Sequence, residues 1–166
     1  PGPLAVERDG RFDFDIPEKS VGRVKSFYGN FTVAIKALTY ILTLGRQGIS
    51  EAAKHAVLNA NYMKARLSGT YDMAYPGLCM HEFVMSLAAF HQETGCTALD
   101  LAKGMLDCGM HPPTMYFPLI VHEALMVEPT ETESRETLDE AIEVFHKIYE
   151  QALADPEALH SAPHLT

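Results

Sequence analysis

Apolar and polar positions alternate with period two in Leu4–Arg8 and again in Arg11–Asp15, with Asp9-Gly10 between them. An Asp-Gly pair between alternating segments favours a tight primed turn, so the chain is expected to begin with a β-hairpin that Pro17 ends. From Ser20 to Asn30 the sequence is polar and punctuated by glycine, the composition of a linker. The period then changes. Phe31, Ile35, Leu38 and Leu42 recur at helical spacing with Gly45 as a stop. A second helix is predicted from Ser50 to Leu67, with Ser50 as its cap and Ala53, Ala56, Ala60 and Met63 as a small-residue packing face.

Ser68 to Gly77 is rich in turn residues. Leu78 to Leu87 is nearly all apolar and too short for a comfortable helix, which predicts a buried strand. Thr97 to Cys108 reads as a helix opened by a Thr97/Asp100 capping box and closed by Gly109 in the left-handed conformation. Pro112, Pro113 and Pro118 forbid helix in the stretch that follows, and Glu123 to Val127 is expected to be the partner strand. A last helix carries Leu138, Ile142, Phe145, Tyr149 and Ala152 on one row, with Thr130/Glu133 as its capping box and Asp155-Pro156 as its end. Helices and strands mix without strict βαβ alternation. The expected class is α+β (α/β-like), with helices packed on one face of a small, mostly antiparallel sheet.

Composition narrows the function classes. The 166 residues suffice for a real core, and 47% hydrophobic against 21% charged residues argues against disorder. A net charge of −9 offers no basic stripe for phosphates, which excludes a nucleic-acid surface. The longest apolar stretch, Thr32 to Leu44, is short and broken by Lys36, so no membrane span is expected. The three cysteines, Cys79, Cys96 and Cys108, lack disulfide or zinc spacing and read as free, largely buried thiols in a reducing, cytoplasmic setting.

Candidate chemistry is sparse. His81-Glu82 begins like a zinc-protease helix, but Met85 stands where the second histidine belongs. His160 and His164 flank Pro163, and no metal site is expected. Cys79 lies two residues before His81, yet nothing marks an oxyanion hole or an orienting group, and a structural thiol is the simpler reading. GRVKSFYGN (Gly22 to Asn30) offers Arg23, Lys25 and Asn30 to an anion, or simply shapes a linker. His81 and Glu82 interrupt an apolar run; a strand would point them to opposite faces, and burying both without partners would cost several kcal/mol. A satisfied core pair and a functional pair fit this pattern equally.

Ordered motifs carry a stronger signal: KSVGRVKSFYGNF (Lys19 to Phe31), LNANYM (Leu58 to Met63), CMHEFV (Cys79 to Val84), ALDLAKGMLDCGMHPPTMYFP (Ala98 to Pro118) and LMVEPTETES (Leu125 to Ser134). Together they resemble the pyridoxal-phosphate glycine dehydrogenases (decarboxylating), the P-proteins of the glycine cleavage system, and in particular the end of subunit 2 of the split bacterial form. The resemblance implies a small C-terminal domain of a fold-type I enzyme, 31–166, with 1–30 as hairpin and linker from the large domain. It also implies decarboxylation of glycine on pyridoxal phosphate and transfer of the aminomethyl group to the lipoyl arm of H-protein. Its partners would be the large cofactor-binding domain, subunit 1 and H-protein.

The family's cofactor lysine sits in a His-Lys context. The pair here, His146-Lys147, lies mid-helix, so the anchor is expected upstream and the chain alone is expected neither to bind the cofactor nor to catalyse. Cleft candidates are His81, Glu82, Arg23, Asn30, His111 and Thr114, with Glu128-Pro129-Thr130 as a further rim. The alternative is a free-standing interaction or regulatory module of the same fold. A small domain cut from its partner is expected to leave an apolar patch near Phe27, Tyr28 and Phe31 and to self-associate through it.

Overall fold

A computed structural model describes residues 3–27 and 29–164. The elements in chain order are β1 (Leu4–Arg8), β2 (Arg11–Asp15), α1 (Phe31–Leu67), β3 (Asp72–Met73), β4 (Phe83–Ser86), α2 (Ala88–Thr94), α3 (Ala98–Asp107), β5 (Thr114–Met115), β6 (Ala124–Val127), α4 (Arg135–Ala154) and α5 (Pro156–His160). The chain divides into two compact units between Arg46 and Gln47.

In the first unit β1 and β2 form the expected antiparallel hairpin. Asp9 and Gly10 both take positive φ (51° and 73°), the requirement of a type I′ turn. The Asn30 carboxamide then accepts from Val33 N–H at 3.2 Å and starts α1. Phe27 and Phe31 are 79% and 73% exposed, as expected for an apolar patch there, and Tyr28 lies outside the described residues. The patch extends along the helix: Ile35, Leu38, Ile41 and Leu42 are exposed too.

Helix α1 breaks at Gly45, whose φ of 63° and ψ of −177° no helix contains. Gly45 is therefore a stop, as predicted, but helix resumes at once. Ser50 lies inside the helical run and is not its cap. The second arm buries Ala60, Met63, Lys64 and Leu67, the i, i+3, i+4, i+7 stripe of an amphipathic helix. Ala53 of the predicted small-residue face is exposed, because packing begins only near Ala60.

The second unit holds a four-stranded, wholly antiparallel sheet in the order β3-β4-β6-β5. Phe83 pairs with Val127 and Met85 with Leu125, and all four join the core with Met63, Leu67, Leu101, Met105, Ile142, Phe145 and Ile148. The intervening pair Val84 and Met126 alternates to the opposite face. Strand β4 is shorter than predicted: Leu78 to Glu82 is an approach loop, with Leu78 and Met80 exposed. Helix α2, unannounced by the apolar pattern, turns the chain within seven residues and ends at Gly95 in the left-handed conformation.

Helix α3 is capped as predicted. Thr97 Oγ1 accepts from Asp100 N–H, the Asp100 carboxylate accepts from Thr97 N–H at 2.9 Å, and Gly109 follows with φ 72°. Met110 N–H donates to Met105 O and Gly109 N–H to Leu106 O, closing a Schellman motif. Helix α4 is capped by Ser134, which accepts from Thr137 N–H at 3.2 Å. Thr130 instead shares a hydrogen bond with Thr132, four residues too early to cap the helix. A last turn, α5, begins with Pro156 at its N-terminus and seats Leu159 against Gly104, where a Cβ would come within 2.8 Å of the leucine.

Burial pushes the Asp100 carboxyl up. Hydrogen bonds from the Thr97 N–H and hydroxyl and the Lys103 ammonium at 3.0 Å outweigh it and hold the group below its ordinary value. A folded-state value below the unfolded one adds stability above about pH 4, and this contribution fades as pH falls through the folded value. Asp100→Asn is expected to cost about 1–2 kcal/mol at pH 7, the worth of a good cap. The gap to the parent should narrow below about pH 4 in denaturant titrations run across pH.

Candidate functional site

The second arm of α1 carries polar residues along its packed side, three of which hold loops and one of which reaches α4. Asn59 Nδ2 donates to Thr130 O at 3.0 Å and to Glu133 O at 3.3 Å. Asn61 grips Cys79 from both sides: its Nδ2 donates to Cys79 O at 2.8 Å, and its Oδ1 accepts from Cys79 N–H at 3.0 Å. The Tyr62 hydroxyl donates to Asp139 of α4. The buried Lys64 ammonium donates to Tyr75 O at 2.7 Å and Gly77 O at 2.6 Å. These residues lie in and just after LNANYM, and sequence reasoning gave none of them a role. The available signal was two asparagines and a lysine next to the positions a helix buries.

The loops so held border two hollows in the second unit. One, of about 430 Å³, has a methionine-rich floor (Met63, Met105, Met110, Met126) and a rim that includes His111, Thr114, Glu128 and Glu133. Its charged rim groups are carboxylates. The other, of about 310 Å³, is lined by Val84 and Met126 of the sheet together with Lys64 of α1, Cys79, Glu82 and Phe117.

The sequence-predicted candidates separate accordingly. His111 and Thr114 share the first hollow with Glu128 and Pro129, and Glu82 faces the second. His81 is exposed, with Nε2 3.7 Å from Glu128 Oε1. The His81-Glu82 pair therefore does diverge, but from the loop that precedes β4; neither side chain is buried, so no burial cost applies. Arg23 and Asn30 belong to the first unit, where Asn30 caps α1.

Cys79, Cys96 and Cys108 are free, and only Cys96 is fully buried; burial pushes its thiol up, away from the reactive thiolate. His160 and His164, considered above as metal ligands, instead face Asp100 at 3.4 Å and Asp107 at 2.7 Å. Among the described residues no cluster of His, Cys, Asp and Glu could hold a metal, and no helix is long and apolar enough to cross a membrane.

Residues 52–164, nearly the whole second unit, match the family described as the C-terminal domain of glycine dehydrogenase. The chain belongs to the glycine dehydrogenase family. It is 55% identical over 166 residues to a probable glycine dehydrogenase (decarboxylating) subunit 2 of Treponema denticola, covering 99% of this chain and 34% of that protein. Proteins of the same description from Thermotoga maritima (52% over 162 residues, 97% and 34%) and Caldanaerobacter subterraneus (54% over 169 residues, 100% and 34%) agree. The chain thus spans about a third of the length of these relatives and corresponds to the C-terminal part of a glycine dehydrogenase subunit 2.

Replacing Lys64 by Met leaves the Tyr75 and Gly77 carbonyls without their donor. The expected cost is about 1–3 kcal/mol, with faster hydrogen exchange across residues 75–80. Asn61→Ala should release the Cys79 amide in the same measurement and leave α3 protected.

Proposed function

We propose that this chain is the small C-terminal domain of a fold-type I, pyridoxal-phosphate-dependent glycine dehydrogenase, spanning 31–166, with 1–30 as its link to a large domain. The whole enzyme would decarboxylate glycine and pass the aminomethyl group to the lipoyl arm of an H-protein, working with a subunit 1 in the cytoplasm. The observation that carries this reading is identity above 50% along essentially the whole chain with proteins named for that activity.

The residues present do not fit the cofactor's anchor. The Lys64 ammonium is committed to two backbone carbonyls, and Lys147 stands exposed on α4. The first hollow presents carboxylates where a phosphate needs cations. No chemical step is therefore assigned to this chain, and its part is to wall the cleft. His81, Glu82, His111, Thr114, Arg23 and Asn30 remain the candidates for contact with substrate. Glu82 leads them, because its carboxylate faces a hollow whose only other ionised wall group, Lys64, is already satisfied.

Pyridoxal phosphate added to the purified chain should give no stoichiometric aldimine on borohydride trapping; a single labelled lysine would overturn the assignment. In the assembled two-subunit enzyme, Glu82→Gln is expected to lower kcat/KM for glycine–CO2 exchange about tenfold or more, roughly 1.4 kcal/mol of transition-state stabilisation. An unchanged kcat/KM would remove Glu82 from the cleft.

A further inference from the structure

Strand β5 is only two residues long, and the reason lies in its sequence. Thr114 pairs with Met126 and Met115 with Leu125. Continued one and two residues further, the antiparallel register would set Pro113 opposite Val127 and Pro112 opposite Glu128. Neither proline has an N–H to give, so pairing stops and the edge of β6 is left open beyond Met126. The hollow of about 430 Å³ lies there. Its floor is apolar, with Met63, Met105, Leu138 and Phe145 all buried in the core. Three separate ties hold its walls. Asn59 fixes the 130–133 turn, Met110 N–H closes the end of α3 on Met105 O, and Thr114 is paired in the sheet. The hollow is thus built before anything enters it, which lowers the cost of filling it, and its size is that of a small-molecule site.

The charge at its mouth selects the occupant. Glu128 and Glu133 stand there, and among the described residues no lysine or arginine lines the hollow. His81 Nε2 stays 3.7 Å from Glu128 Oε1, beyond hydrogen-bond length, and the Glu133 side chain has no partner among the described residues. Both carboxylates therefore keep acceptor capacity. An anion would meet repulsion at this mouth, and a wholly polar cation would gain nothing from the methionine floor. One wall is shared: Met126 lines both this hollow and the one that Glu82 faces. A methionine side chain is flexible, so filling one hollow repacks a wall of the other. We propose that the hollow beside β5 is an effector site for a small organic cation, an ammonium carried on an apolar body, coupled through Met126 to the hollow that Glu82 faces. The coupling rests on the reading above, which sets substrate against Glu82; the binding does not.

Benzyltrimethylammonium is the probe, because a quaternary nitrogen cannot form an imine with pyridoxal phosphate. Titrated into this chain carrying carbon-13 methionine methyls, it should shift the Met110 and Met126 signals saturably and leave the exposed Met80 unmoved. Benzoate, with the same ring and the opposite charge, should shift neither. Glu128→Gln/Glu133→Gln should weaken binding of the probe about fivefold or more. The signal of the buried Met85 should stay in place in that variant, showing that the fold is intact. Absence of saturable shifts, an equal response to benzoate, or a double variant that binds like the parent would each overturn the site. In the assembled two-subunit enzyme, saturating probe should change KM for glycine in glycine–CO2 exchange about fivefold. The double variant should lose that sensitivity. Binding with KM unchanged, or an equal change in the double variant, would overturn the coupling. An assembly that exchanges nothing even without the probe would sink the functional reading, and the methyl shifts would still decide the site.

Discussion

An ammonium taken out of water must be given partners, and Lys64 finds both of its recorded ones on a single loop, at Tyr75 O and Gly77 O. That requirement organises much of the second unit. The α1 arm that buries Ala60, Met63 and Leu67 in the core carries Asn59, Asn61 and Lys64 alongside, so seating the helix also sets three loop positions. The loop after β3, the approach to β4 and the turn before α4 are all referred to one rigid element. Both hollows inherit their shape from it, since Met63 floors one and Lys64 walls the other.

The remaining helix ends are settled by local chemistry. Thr97 and Asp100 satisfy each other at the start of α3, and Glu123, held at a positive φ of 48°, adds its carboxylate to the Ala98 N–H at 2.7 Å. Glu123 O also accepts from Leu87 N–H at 2.9 Å, so one residue joins the end of β4, the start of α3 and the start of β6. The aromatic cluster of Tyr71, Phe90, Phe145 and Tyr149 fills the space between α2 and α4, and burial pushes the Tyr71 hydroxyl upward while it donates to Phe145 O at 2.7 Å.

The unit before Gln47 has a different character. Its hairpin is complete in itself, but its helical arm exposes apolar residues such as Phe31, Ile35, Leu38 and Leu42. A helix apolar on so many sides belongs in an interior. Both units therefore carry apolar surface that their own residues leave uncovered, in keeping with a chain that matches a third of its relatives' length.

The sequence by itself determined whatever is encoded within a few residues: the Asp9-Gly10 turn, the α3 capping box with Gly109, the β6 strand and the helical row of α4. The turn and the caps rest on short-range sterics and hydrogen bonds, and the strand and the helical row show in the local hydrophobic period, although pairing and burial are what hold them. The ordered motifs also sufficed to name the family. What only the tertiary structure decided depends on partners distant in sequence. Ser134, and not Thr130, caps α4 because Asn59, 71 and 74 positions away, holds the 130 and 133 carbonyls in the preceding turn. His81 and Glu82 precede the strand in a loop whose Cys79 backbone is held by Asn61, and they part, His81 toward Glu128 and Glu82 toward the second hollow. Apolar character alone would bury Leu78 and Leu119; only the tertiary structure shows that both stay exposed.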